Sequence, residues 1–204
     1  MKFIAGCIGF FTLAASAVAG DRVVTQEVKK EPTKFTKGSF EASYDSAMLF
    51  GLSNPNHYII APQMISGLWQ PFERSDKWWL PDAFSVGAFG IAIPIVHGPE
   101  TFYGGGGLMA RLRWLPTDYP ISFVADWRMG MGAIDSVDKR DTQGQDFTFV
   151  LQASGAIEWQ ATERMSVRLG VMWNHLSNAE LSEPEHRNVG LDAIGPQLGF
   201  GYQF

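Results

Sequence analysis

His175, Ser177 and Asp192 are the residues of this chain whose types and spacing could carry a reaction. On an extended strand, side chains two positions apart project to the same side, with Cβ atoms about 7 Å apart. An imidazole that takes the serine proton converts a weak nucleophile into an effective one. A carboxylate on the other ring nitrogen holds the tautomer and stabilises the imidazolium. That is the chemistry of a hydrolytic triad. By itself an H-x-S spacing is a weak signal that favours a structural reading, an interfacial histidine beside a loop serine, over catalysis, so the elements that position these residues matter.

From Phe40 onward the chain reads as short alternating segments punctuated by Pro, Gly, Asn and Asp. Strands are expected over 39–53, 57–70, 84–97, 101–114, 120–132, 146–159, 164–177 and 191–204. In the seventh, Val167, Leu169, Val171 and Trp173 share one parity, against Ser166, Arg168, Gly170 and Asn174. In the eighth, Ile194, Pro196, Leu198, Phe200, Tyr202 and Phe204 face one way, with Gly195, Gln197, Gly199, Gly201 and Gln203 opposed. One face is thus bulky and apolar. The other is small and charged, and Glu41, Asp45, Asp126 and Glu158 are available to balance Arg111, Arg113, Arg128 and Arg168. A soluble lipocalin-like barrel would place its large side chains inside. The opposite assignment predicts an all-β fold, an eight-stranded antiparallel transmembrane β-barrel whose outer surface meets lipid, closed because unpaired edges are not tolerated in hydrocarbon. A chain ending on Phe204, with apolar residues at alternate positions before it, looks like the terminal signal of bacterial outer-membrane barrels.

The start of the chain points to the same compartment. Lys2, the apolar run Phe3–Leu13 and Ala17-Val18-Ala19 read as a signal peptide over residues 1–19, which excludes a cytoplasmic role. Residues 20–38 read as a mobile N-terminal segment and 39–204 as the barrel. The single cysteine, Cys7, falls within the signal, so neither a disulfide framework nor a cysteine-based zinc cluster is available. The 204 residues predict one domain or at most two small ones. A charged fraction of 18% lies below the roughly 25% of ordinary soluble domains. The net charge of −5 argues against a nucleic-acid partner.

With both ends periplasmic, the connections after strands one, three, five and seven face outward, the longer ones near 133–145 and 178–190. His175, Ser177 and Asp192 then converge on the upper, lipid-facing rim, where polar groups are costly. The four histidines, at 57, 97, 175 and 186, show no metal-ligand spacing; His57 and His97 read as interfacial or loop residues. Gly104–Gly107 lacks the Lys-Ser/Thr of a phosphate loop and reads as flexible strand or a bulge. Trp78 and Trp79 read as anchors at the periplasmic membrane surface, and Asp126 with Arg128 as filling of the lumen.

His175-Leu176-Ser177-Asn178-Ala179, followed by Asn188-Val189-Gly190-Leu191-Asp192 and the strand ending in Phe204, resembles the lipid A 3-O-deacylase (PagL) family. The resemblance implies an outer-membrane serine esterase that hydrolyses the ester at position 3 of lipid A, with lipopolysaccharide as substrate and no metal or cofactor. It implies Ser177 as nucleophile, His175 as base and then acid, and Asn178, Ala179 and Asn188 as support for the oxyanion. Three departures stand out. Asp192 occupies the place of a glutamate in the best-known member, Glu180 a place where glycine is common, and Glu185-His186-Arg187 reads as an insertion. Glu180, Glu183 and Glu185 are the alternatives to Asp192. The competing functions are an esterase of the same fold acting on another lipid and a non-catalytic outer-membrane barrel for structure, adhesion or hydrophobic-molecule binding.

Overall fold

Alternating side chains select extended backbone, and the computed structural model places it in ten strand segments. These are β1 (Phe40–Ala47), β2 (Leu49–Gly51), β3 (Ile59–Ile60), β4 (Gln63–Trp69), β5 (Ala83–His97), β6 (Phe102–Trp114), β7 (Ile121–Ile134), β8 (Phe147–Gln160), β9 (Met165–Ser177) and β10 (Leu191–Gln203). The described residues are 35–52, 57–72, 80–115, 120–135, 146–181 and 190–204. The signal peptide, most of the segment 20–38, Trp78, Trp79, Glu183, Glu185, His186 and Asn188 lie outside them.

Each strand pairs antiparallel with its neighbour from β4 through β10, and β1 pairs with both β4 and β10. With β2 continuing β1 and β3 leading into β4, the wall is a closed eight-stranded antiparallel β-barrel. No described helix is long and apolar enough to cross a membrane. The first two expected strands are each interrupted, because proline removes ladder donors there. Met48 N–H turns to Pro196 O, Ala47 N–H to Pro62 O and Ala61 N–H to Pro94 O. Gly104–Gly107 forms no bulge: it pairs residue for residue with β5 and β7. Gly107 faces Gly130, and a Cβ on Gly107 would lie 2.1 Å from Met129 O, so the absence of a side chain serves close strand approach.

The inside-out distribution is what the alternation demands. Leu108 is 67% exposed on the outer surface while Arg111 is 0% exposed within. Aromatic residues ring both ends of the outer face, with Phe40, Trp69, Phe123, Trp159 and Phe204 below and Phe50, Phe102 and Phe147 above. The lower lumen holds four arginines and four carboxylates in one neutral network. Arg111 clasps Asp126 through Nε and Nη2 at 2.7 and 2.8 Å and reaches Glu41 through Nη1. Arg113 joins Glu41 at 2.6 Å to Glu158 at 2.8 Å. Arg128 bridges Asp45 and Asp126 at 2.9 and 3.0 Å, and Arg168 spans Glu41, Asp45 and Glu158 at 3.1–3.3 Å. The upper lumen is different: Leu49, Ile60, Met64, Ile93, Tyr103, Leu176 and Leu191 pack there as an apolar plug. Side chains therefore fill the interior from end to end.

Residues 35–38, the last of the segment expected to be mobile, are held at the lower mouth. Phe35 is buried, its ring lies 4.2 Å from the Arg113 guanidinium, and its carbonyl accepts from Gln70 Nε2 at 2.8 Å.

Candidate active site at the outer rim

Strand β9 rises to the rim and β10 descends from it, with Asp192 directly opposite His175 in the ladder. Both belong to the outward-facing parity of their strands, set by Trp173 on β9 and Ile194 on β10. The cross-strand register therefore brings imidazole and carboxylate together without any loop rearrangement. His175 Nδ1 lies 3.0 Å from Asp192 Oδ1, with the side chains 29% and 41% exposed. A carboxylate accepts only, so this contact assigns the proton to Nδ1 and leaves Nε2 as the acceptor. Asp192 is itself fastened by its backbone, since its carbonyl accepts from Leu52 N–H at 2.7 Å.

Ser177 ends β9 on the same outward face, two residues beyond His175. Its Oγ accepts a hydrogen bond from Ala179 N–H at 3.2 Å. The chain reverses directly behind it: Leu181 N–H donates to Asn178 O at 3.2 Å, and Ala179 and Glu180 have φ of 54° and 63°. Positive φ at both central positions gives the handedness of a type I′ turn, here made without glycine. Such residues are held against their preference at about 1 kcal/mol or more each. Glu180→Gly is accordingly expected to stabilise the protein by about 1 kcal/mol. A higher urea midpoint at an unchanged m-value checks this, and a lower midpoint contradicts it.

Gly190, which follows Asn188-Val189 in the motif, has a steric role. It precedes Leu191, the partner of Leu176, and so stands at the rim beside the ring. A Cβ there would approach His175 Cε1 to 3.1 Å and Nε2 to 3.8 Å. Glycine at this position adds no side chain against that edge of the imidazole. Around the site, the register sets Leu151 beside His175 and Phe149 beside Ser177 on β8. An apolar wall thus flanks a polar pair on the outer surface.

The sequence-derived candidates divide as follows. His175 and Asp192 are in contact, Ser177 shares their face, and Ala179 N–H points at Ser177 Oγ. Asn178 is fully buried just beyond the end of β9, whereas the imidazole is partly exposed. Asn188 lies outside the described residues, as do Glu183 and Glu185. Among the described residues no group of three or more His, Cys, Asp or Glu could hold a metal.

Residues 64–203 match the family described as Lipid A 3-O-deacylase (PagL). The crystal structure of the outer membrane enzyme PagL is similar at a TM-score of 0.54 and 16% identity, over 79% of this chain and 98% of that one. That of Neisserial surface protein A is similar at a TM-score of 0.56 and 12% identity, over 82% of this chain and 100% of that one. At these identities the structural likenesses establish the fold, and the family match carries the activity. No curated protein matches the chain.

Proposed function

The chain belongs to the lipid A 3-O-deacylase (PagL) family, and from that premise we propose that Ser177, His175 and Asp192 are its catalytic triad. The protein is an outer-membrane hydrolase that removes the acyl chain esterified at position 3 of lipid A. The observation that supports the triad most is the 3.0 Å contact of His175 Nδ1 with Asp192 Oδ1 on the face that also bears Ser177. A charged or polar pair on a lipid-facing rim costs free energy, so its presence there calls for a role. The barrel fold alone would not carry this reading, because a neisserial surface protein shares it.

In this mechanism Ser177 Oγ attacks the ester carbonyl carbon while its proton passes to His175 Nε2. The imidazolium is stabilised by Asp192. The carbonyl oxygen becomes an oxyanion, and the Ala179 N–H beside Ser177 is the donor the described residues offer it, released from Oγ as that oxygen bonds to carbon. Collapse of the tetrahedral adduct breaks the ester C–O bond, and the sugar 3-oxygen leaves as an alcohol with the His175 proton. Water, deprotonated by His175, then attacks the acyl-enzyme, frees the fatty acid and restores Ser177. The rim location suits the substrate, which diffuses in the membrane plane and presents its acyl chains to the apolar wall of Phe149 and Leu151.

Asp192→Asn tests the acid. An amide presents N–H where the carboxylate accepted, disfavours the Nδ1–H tautomer and leaves the imidazolium uncompensated. The expected fall in kcat is on the order of 10²–10⁴-fold, with partial activity in Asp192→Glu. An unchanged rate in Asp192→Asn would assign the role to another carboxylate.

A further inference from the structure

Trp173 precedes His175 by two residues on β9, so both project outward from adjacent rungs. Their rings are stacked, with centroids 6.0 Å apart and planes inclined by 19°. Trp173 lies one rung closer to the middle of the barrel, between the register positions of Ala153 on β8 and Ile194 on β10. The indole is thus a shelf under the imidazole on its membrane side. Asp192 holds one edge of the ring, and glycine at 190 puts no side chain against Cε1 and Nε2.

We propose that Trp173 is a positioning residue for the deacylation reaction, holding the His175 ring in the plane that aims Nε2 at Ser177 and favouring the positive charge the ring acquires. This rests on the triad reading above. Two physical effects support it. A histidine on an outer barrel surface has free χ rotation unless a neighbour restricts it, and a hydrogen bond at Nδ1 alone still permits the ring to swing about that contact. A stacked indole removes this freedom. An aromatic face also attracts a cation that forms above it, most strongly where water is scarce, as at a lipid-facing rim. The attraction grows as the proton moves from Ser177 to His175, and the restricted ring is already aimed when it does, so both act on the transition state more than on substrate binding. Trp173 itself exchanges no proton.

The test uses the full-length enzyme in detergent–phospholipid micelles with purified lipid A as substrate. Trp173→Leu is expected to lower kcat on the order of tenfold with KM nearly unchanged, while Trp173→Phe, which restores an aromatic face, stays within about threefold of the parent. In a His175→Ala background, Trp173→Leu should cost nothing further in the residual rate. If the Leu variant assembles poorly, Trp173→Met gives the same comparison between an aromatic and a non-aromatic side chain. A parental kcat in Trp173→Leu overturns the proposal. So does a loss confined to KM, which would make Trp173 a contact of the acyl chains. A Ser177→Ala control that keeps its activity overturns the triad reading itself, a failure distinct from an inactive Ser177→Ala beside an unaffected Trp173→Leu.

Discussion

Ser177→Ala is expected to lower kcat for lipid A deacylation by on the order of 10⁴–10⁶-fold while the barrel assembles as before. The size of the effect follows from the covalent route. Without Oγ no acyl-enzyme forms, and what remains is the rate at which water attacks an ester held beside a polarised N–H. His175→Ala should cost a similar amount, since an unactivated hydroxyl is a poor nucleophile at neutral pH. The double variant should be little worse than either, because the two residues act as one unit. Folding is not at stake, because both side chains face outward from the end of β9 and neither contributes to the lumen. Fatty-acid release from purified lipid A, measured beside the heat-dependent gel mobility of each variant, separates the two properties. A Ser177→Ala protein within tenfold of the parent would contradict the assignment.

The largest effect on stability is expected inside the barrel. Arg111 is fully buried and contacts Asp126, Glu41 and Asp45, and the four arginines and four carboxylates of the network cancel. Arg111→Met removes one cation and leaves four buried carboxylates facing three arginines. The expected destabilisation is about 3–5 kcal/mol, read as a lower urea midpoint or failure to assemble. The double change Arg111→Met with Asp126→Leu removes a charge pair and keeps the network neutral, so it should be far milder than the single change. Were both variants equally unstable, the volume of Arg111 rather than its charge would matter. Deacylation per folded molecule should survive in the double variant, since the rim is separated from this network by the apolar plug.

Much of this architecture is legible in the alternation of side chains. A period of two placed Trp173 and Leu169 outside and Arg168 and Asn174 inside, as the structure has them. It grouped Glu41, Asp45, Asp126 and Glu158 with Arg111, Arg113, Arg128 and Arg168, the partners found in the lumen. The same parity put Asp192 beside His175, because register follows once both strands are assigned. The apolar plug was not legible. Met48-Leu49-Phe50 and Ile59-Ile60 are apolar at successive positions, so alternation cannot say which side chain turns inward. The interruptions at Met48 and Ala61-Pro62 depend on ladder donors that Pro196 and Pro94 of neighbouring strands cannot supply, a long-range effect. The left-handed backbone at Ala179 and Glu180 runs against the preference of both residues, so composition could not have signalled it. The docking of Phe35 is not legible either, because a single aromatic among lysines carries no period, although Arg113 gives it a place to dock.

Mass spectrometry of lipid A, from cells whose outer membrane holds this protein and from cells holding Ser177→Ala at the same level, tests the central claim most directly. The account predicts that lipid A from the first cells lacks the acyl chain at position 3 and that lipid A from the second keeps it. Identical lipid A from the two, with both proteins folded in the outer membrane, would contradict it.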